Sequence, residues 1–402
     1  MIIVSDRLPS TKIGWQEPGS AQEDCWVSHS LFDPVAPEPR ISRRFRDVRD
    51  SKAFTAARRL MDEIFAGLRD VDGNFVRDFQ AAGFSPRVLE LAVFAYLTEQ
   101  GYTLDRASPS PDFVITGDTP MAIEVTTSNP PDGQDPDDVD PSSGLSRLMP
   151  DDLPAAEQKF VFQTAKALRS KLLKRTAAGL AYWEQPHVAG LPFIIALESF
   201  HSASSLFHAV GFLGEYLYGY RQVPTYDQAG NLLVTGQPIT EHQHKGKVIP
   251  SGLFSRAEAS HLSAVLFTNS ATISKFNRIG TERGYGPADV AMVRYGTVYN
   301  PEPNAIKPKL SGYLVGNYGP DEWETFSEGL NLMHNPWAKN PLPAGALRDL
   351  TEHRLLAGGR VLVTTSRPEP FATVTLICQG AGAEQHARQV LASVLADDPP
   401  DP

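Results

Sequence analysis

Apolar residues recur at helical spacing between residues 85 and 100, where the positions three, four and seven after Glu90 are all apolar. Ser85 is a typical N-cap and Gly101 is a typical helix stop, so the pattern predicts a helix of about four turns. This spacing also puts Glu90 on the apolar face of the helix. Its carboxylate is therefore expected to be partly buried.

Two short strand patterns follow the helix. The segments DFVIT and MAIEV are rich in β-branched and aromatic residues, and the turn sequence GDTP separates them, so together they predict a β-hairpin. With a three-residue loop at 117–119, Asp112 lies opposite Glu124 on one face of the hairpin. A two-residue loop would instead put the two acids on opposite faces. The sequence leaves both registers open.

The facing register would give the acids a chemical role. Two carboxylates that face each other repel unless a cation lies between them. Oxygen ligands of this kind favour Mg²⁺ or Mn²⁺, so Glu90, Asp112 and Glu124 are candidate members of one metal-binding acidic cluster. For Glu90 the competing interpretation is an ion pair with an arginine or lysine, because a buried charge needs a partner.

Later segments alternate between helix and strand patterns. Residues 155–178 predict a long helix, with Lys171 at the edge of its apolar stripe and Lys166 on the far side. Residues 191–200 predict a buried strand, and 263–280 predict a further strand, turn and helix. This order of elements predicts an α/β fold.

The composition and the predicted elements of the chain indicate three regions. Residues 1–80 read as an N-terminal extension that is partly helical and basic, and residues 81–300 read as the α/β core. Residues 301–402 are rich in proline, glycine and asparagine at first and read as a loop-rich C-terminal extension packed on the core.

Composition limits the functional classes. A chain of 402 residues with 41% hydrophobic content can bury a substantial core. Its two cysteines provide neither a disulfide framework nor zinc-ligand spacing, which fits a reducing cytoplasm. No apolar run approaches the roughly 20 residues that span a bilayer, and no secretory signal is recognisable, so we expect a cytoplasmic protein without a membrane partner. Motifs of zinc proteases, serine hydrolases and nucleoside triphosphatases are absent.

The charge distribution bears on nucleic-acid binding. The net charge of −10 argues against a general binder of polyanions. Positive charge is nevertheless concentrated at 40–59 and at 159–175, and the second segment carries six basic residues and no acid. Such segments either follow a nucleic-acid backbone locally or form solvated helix faces, and the sequence leaves both interpretations open.

The acidic residues resemble the motif of the PD-(D/E)XK nuclease superfamily. The matching features are the helix-borne Glu90, a Pro-Asp pair that ends at Asp112, and Glu124 two positions before Thr126 on the next strand. The resemblance implies a restriction-endonuclease-like mixed sheet flanked by helices and a metal-dependent nuclease that hydrolyses phosphodiester bonds. It further implies that Asp112, Glu124, the carbonyl group of Val125 and Glu90 hold Mg²⁺ or Mn²⁺. The expected partner is nucleic acid, DNA in the first place, and a homo-oligomer or a protein partner is compatible with the chain.

The chain departs from the superfamily pattern at Thr126, where a lysine is usual. A neutral hydroxyl cannot supply the positive charge that helps to orient the attacking water and to stabilise the phosphate. Members of the superfamily can supply this charge from a neighbouring helix, which makes Lys171 the candidate for a migrated catalytic lysine. A charge at the edge of a surface helix is the competing interpretation. If no lysine replaces the missing one, the alternative function is a catalytically inactive, nuclease-like module for nucleic-acid binding or assembly.

Overall fold

The computed structural model describes residues 2–4, 30–68, 70, 73–129, 152–200, 210–300, 302–316, 323–366 and 370–396. Its helices are α1 (Arg43–Asp50), α2 (Thr55–Gly67), α3 (Phe75–Gln80), α4 (Phe84–Glu99), α5 (Leu153–Leu173), α6 (Val210–Tyr218), α7 (Ile273–Glu282) and α8 (Ala383–Ala396). Its first eight strands are β1 (Ile2–Val4), β2 (Thr103–Asp105), β3 (Phe113–Thr116), β4 (Met121–Ser128), β5 (Phe193–Ser199), β6 (Tyr220–Tyr226), β7 (Leu232–Pro238) and β8 (Glu241–His244). The remaining strands are β9 (Lys247–Pro250), β10 (Leu262–Thr268), β11 (Val290–Val298), β12 (Lys309–Leu314), β13 (Asn331–His334), β14 (Thr351–Leu355), β15 (Val361–Thr364) and β16 (Pro370–Gln379).

A nine-stranded mixed sheet organises the chain, with the strand order β1-β15-β14-β13-β10-β5-β4-β3-β2. At its centre β4, β5 and β10 run parallel to one another, whereas β2, β3 and β4 form an antiparallel meander at one edge. The mixed α/β architecture predicted from the sequence is therefore confirmed.

The sheet crosses the region boundaries that the sequence suggested. Strands β13, β14 and β15 follow residue 300 in the chain, yet they complete the main sheet beside β10. Strand β11, which precedes residue 300, instead pairs with β12 and β16 in a separate three-stranded sheet. Long-range strand pairing of this kind depends on tertiary contacts, which local composition and hydrophobic pattern do not encode.

Helices cover both faces of the main sheet. On one face, residues from α1, α2, α3 and α4 form a core with β3, β4, β5 and β10, so helices from the first 80 residues belong to this core. On the other face, α5 and α6 pack against the same strands. Helix α4 is buried along most of its length because it lies between the sheet and the helices that precede it.

The two helices that carry candidate residues differ from expectation mainly at their ends. Helix α4 begins at Phe84 with Gly83 as its N-cap, so the prediction of Ser85 as N-cap is wrong. The Ser85 hydroxyl instead accepts a hydrogen bond from Arg44 Nη1 at 2.9 Å. The end of α4 is as predicted, because Gly101 adopts a positive φ of 71° just after the last turn.

Helix α5 ends earlier than predicted, and its apolar stripe is buried: Val161, Ala165, Leu168 and Leu172.

A buried ionic cluster connects the three-stranded sheet to the main body. Arg278 of α7 donates two hydrogen bonds of 2.6 Å to the carboxylate of Glu324. Arg294 of β11 lies 3.3 Å from the same carboxylate. Burial alone would raise the pKa of Glu324, but the two guanidinium groups outweigh burial and lower it to about 2. The carboxylate therefore stays charged inside the protein and holds the two elements together.

We expect Glu324→Gln to lower the free energy of unfolding at pH 7 by about 3 kcal/mol, because the ordinary pKa of 4.5 falls to about 2 on folding. A lowered pKa stabilises the fold above pH 4.5, and this contribution is lost as the pH falls towards 2. The variant should therefore also lose stability less steeply between these pH values. Urea unfolding at several pH values measures both effects.

The control for this experiment is Glu384→Gln, which removes an exposed helical ion pair with Arg388. Exposed pairs contribute little to stability, so this variant should unfold like the wild type. Equal effects of the two substitutions would contradict the role assigned to the buried cluster.

Candidate active site

The β3–β4 hairpin brings two of the predicted acids together. Phe113 pairs with Ile123, and the following residues of the two strands pair in the same register without a bulge. One further step towards the start of β3 sets Asp112 opposite Glu124, where Cβ atoms are about 5 Å apart. This is the register of a three-residue loop at 117–119, so that alternative is confirmed.

Glu124 lies deep in the sheet because β4 is flanked by β3 and β5 and covered by helices on both faces. Only 3% of the residue is exposed. Its Oε1 atom accepts a hydrogen bond from Lys171 Nζ at 2.5 Å. Its Oε2 atom is buried and makes no hydrogen bond of ordinary geometry with the described residues, although the Tyr182 hydroxyl interacts with the same carboxylate. Lys171 thus holds one oxygen of this carboxylate firmly, and the other is more open to a ligand.

Helix α5 brings Lys171 to the acids. The buried stripe of this helix packs against β4 and β5, and Lys171 sits beside Leu172 at the edge of that stripe. Thr126 follows Glu124 by two positions and therefore shares its face of the strand, so the ammonium group of Lys171 reaches the face that lacks the usual lysine. Lys166, on the far side of the helix, is exposed.

Asp112 is held by the backbone of the neighbouring strand. Its Oδ2 atom accepts a hydrogen bond of 2.6 Å from the N–H group of Val125. Burial, and then the nearby charges of Glu124 and Glu90, raise the pKa of Asp112 well above its usual range, although Lys171 opposes them. Two facing carboxylates with one lysine are thus short of positive charge.

Glu90 approaches the same pocket from α4 but has a partner of its own. Arg87 Nη1 lies 2.7 Å from Glu90 Oε2, and Arg87 Nη2 lies 2.9 Å from Asp78 Oδ2. Burial raises the pKa of Glu90, and Arg87 and Arg106 oppose this shift. The ion pair considered from the sequence is therefore present, three residues away on the same helix.

A pocket of about 400 Å³ opens over these groups. Acidic, basic and aromatic side chains share its wall, and the ionisable residues that line it are Asp70, Asp78, Arg87, Glu90, Arg106, Asp112, Glu124, Lys171, Lys174 and Tyr182. Burial, and then the charge of Glu124, raise the pKa of the Tyr182 hydroxyl, so this group stays protonated at neutral pH. The pocket therefore contains both groups that bind cations and groups that bind phosphate.

Six of these side chains were not recognised from the sequence: Asp70, Asp78, Arg87, Arg106, Lys174 and Tyr182. A helical spacing of three residues from Glu90 could have identified Arg87. Lys174 lies within the basic segment 159–175 but is not distinguished there from its neighbours. Arg106 lies in a loop and Tyr182 begins a one-turn 3-10 helix, and only the tertiary fold brings them to the acids, so no local pattern identifies them.

The donor set can be tested against a divalent metal ion. In the part of the chain that the structure describes, no group of three or more His, Cys, Asp and Glu side chains is arranged to hold a metal ion. Mg²⁺, however, is commonly held by one or two carboxylates and completed by water. The facing carboxylates of Asp112 and Glu124, together with the unpartnered Glu124 Oε2, fit that smaller set. Glu90 fits less well because Arg87 occupies its carboxylate.

Comparison with known proteins identifies no relative: no family model matches the chain, and no curated protein or solved structure gives a significant match. Among the described helices, none is both long and apolar enough to cross a membrane. Because no known protein matches, the function of the site is inferred from its own side chains.

We expect Asp112→Asn to stabilise the metal-free protein. The pKa of Asp112 is raised on folding, so its ionisation opposes folding once the pH exceeds the ordinary value of 3.8. Asparagine removes the charge, and its carbonyl oxygen can still accept the hydrogen bond from Val125. At pH 7 with a chelator, the melting temperature should rise by roughly 1–3 °C.

Asp118→Asn is the matched control for this substitution, since Asp118 is exposed in the turn of the same hairpin. It should leave the melting temperature unchanged. A fall in the melting temperature of the Asp112 variant would mean that its carboxylate stabilises the folded state without a metal.

Proposed function

We propose that the protein is a metal-dependent nuclease of the PD-(D/E)XK type that hydrolyses phosphodiester bonds in nucleic acid, with DNA as the first candidate. The observation that carries the proposal is the 2.5 Å contact between Lys171 Nζ and Glu124 Oε1, on a strand where Asp112 faces Glu124. This contact supplies a lysine at the acids although Thr126 occupies the usual lysine position. It favours an active nuclease over the inactive module.

The order of elements around the site supports the same proposal. Helix α4, strand β2, the β3–β4 hairpin, helix α5 and strand β5 come in this order in the chain, and both helices pack on the strands. Helix, hairpin, helix and strand is the order expected of a restriction-endonuclease-like core. The acids come from the first helix and the hairpin, and the lysine comes from the second helix.

Asp112 and Glu124 would hold Mg²⁺ or Mn²⁺, with the Val125 carbonyl as a further ligand and Glu90 acting through water. The unpartnered Glu124 Oε2 and the unfavourable proximity of the two carboxylates both fit a cation at this position. When bound, the ion supplies a more acidic water molecule and positive charge beside the reacting phosphate.

Lys171 has two roles in this proposal. Its ammonium group donates a hydrogen bond to Glu124 Oε1, which fixes the carboxylate and leaves Oε2 for the metal. The same positive charge would stabilise negative charge that develops on a phosphate bound in the pocket, since a fixed charge in a partly enclosed site does so effectively. The side chain is 20% exposed, so it can contact a substrate in the pocket.

A protein of net charge −10 needs local positive charge to accept a polyanion. Four basic side chains line the pocket, Arg87, Arg106, Lys171 and Lys174, together with five acidic ones. A metal ion held by the acids would offset part of their charge, so that the basic side chains could attract phosphate.

The direct test is cleavage of supercoiled plasmid, single-stranded DNA and RNA in Mg²⁺ or Mn²⁺. Wild type should cut at least one substrate, and a chelator should abolish the reaction. Glu124→Gln and Lys171→Ala should each reduce the rate by about 100-fold or more, because the first removes a metal ligand's charge and the second removes the positive charge at the reacting phosphate.

Two variants control for general damage to the protein. Lys166→Ala removes an exposed lysine from the same helix, and Asp118→Asn removes an exposed acid from the same hairpin. Both should cut at the wild-type rate. Failure of the wild type to cut any substrate would contradict the proposal and favour the inactive module, and equal cutting by the Glu124 variant would contradict the site built on Glu124.

A further inference from the structure

The four basic side chains of the pocket all make cation–π contacts. Each of the four basic side chains lies over an aromatic ring: Arg87 over Phe75 at 4.9 Å, Arg106 over Phe113 at 5.1 Å, and Lys171 and Lys174 over Tyr182 at 5.7 and 5.6 Å. Cation–π contact orients a charged group without neutralising it. The rings therefore hold positive charge in place at the pocket wall.

Lys174 differs from Lys171 in its partners. The charge of Lys171 is balanced by Glu124, whereas among the described residues no carboxylate pairs with Lys174. Lys174 is the C-cap residue of α5 and is exposed at the pocket. Two ammonium groups over one ring repel each other, and an anion beside Lys174 would relieve that repulsion.

Arg106 extends the positive charge to the other acid. Its Nη1 atom donates a hydrogen bond of 3.2 Å to the carbonyl oxygen of Asp112, which fixes the guanidinium group beside the predicted metal ligand. Its charge also opposes the rise in the pKa of Glu90. A guanidinium group held in this way can bind phosphate through its planar array of donors.

The size of the pocket limits what can bind. A volume of about 400 Å³ lies at the lower end of the range for small-molecule sites, so it suits one or two nucleotide units better than a duplex. The aromatic rings already carry cations, which leaves their faces poorly placed to stack on bases. The wall is thus suited to the sugar–phosphate backbone rather than to base recognition.

We propose that Lys174 and Arg106 form a phosphate-binding subsite that holds a single nucleic-acid strand by a phosphate next to the one that is cleaved. The identity of the polymer rests on the proposed function, whereas phosphate binding itself requires neither metal nor cleavage. A terminal phosphate monoester and an internal diester share the required chemistry. The subsite is indifferent to base sequence.

The test measures binding in the presence of a chelator, by calorimetry with inorganic phosphate and by fluorescence anisotropy with a short oligothymidylate. Wild type should bind both ligands, and Lys174→Ala and Arg106→Ala should each weaken binding by about tenfold, the loss expected for one charge-assisted hydrogen bond. Removing Lys174 should also reduce the salt dependence of log K for the oligonucleotide by about 0.7. Lys166→Ala should match the wild type.

Three oligonucleotides identify the source of the phosphate: one with a 5′-phosphate, one with a 3′-phosphate and one with hydroxyl groups at both ends. A preference for one phosphorylated end that disappears in Lys174→Ala assigns the subsite to a terminal phosphate. Equal binding of all three, with an equal loss in the variant, assigns it to an internal diester.

Absence of phosphate and oligonucleotide binding by the wild type would overturn the inference, as would wild-type affinity of Lys174→Ala. Tighter binding of a blunt duplex than of the single strand would overturn the assignment of strandedness. Because the assay contains no metal, a protein that binds but never cuts contradicts only the proposed nuclease activity. A protein that cuts, and whose Lys174 variant binds normally, contradicts only the subsite.

Discussion

The ion pair between Lys171 and Glu124 joins helix α5 to strand β4 at the pocket where three candidate acids meet. It depends on two packing conditions, because the apolar stripe of α5 must seat on the sheet and β4 must lie between β3 and β5. A buried Glu124 stays charged more readily beside a positive partner, since an isolated carboxylate in the interior costs several kcal/mol. The pair in turn fixes one carboxylate oxygen and leaves the other for a ligand.

The register of the β3–β4 hairpin is the second constraint. A shift of one residue in the hairpin register would move Asp112 to the other face of the sheet and separate its carboxylate from that of Glu124. In the observed register the carboxylates face each other, and the raised pKa of Asp112, caused mainly by burial and then by its acidic neighbours, reflects the cost. Sites that accept an energetic cost of this kind are often functional. A metal ion between the carboxylates would relieve it.

The sequence predicted the local parts of the site because local rules govern them. Hairpin composition and turn chemistry marked the strands that carry Asp112 and Glu124, and helical spacing marked Lys171 at the edge of a buried stripe. The choice between the two hairpin registers required the structure. Arg106 lies in a loop and Tyr182 in a one-turn 3-10 helix, neither of which has a periodic pattern, and the pairing of β13–β15 with β10 joins segments far apart in the chain. Such contacts depend on the whole fold, so local patterns could not identify them.

The most direct test of the central claim is the binding of Mn²⁺, followed by the loss of the electron paramagnetic resonance signal of the free ion. We expect the wild type to bind Mn²⁺, Glu124→Gln and Asp112→Asn to lose that binding, and Asp118→Asn to retain it. Lys171→Ala should still bind the ion, because the lysine acts on the substrate and on Glu124 rather than as a ligand. No binding by the wild type, or undiminished binding by both acid variants, would contradict a metal-dependent site built on Asp112 and Glu124.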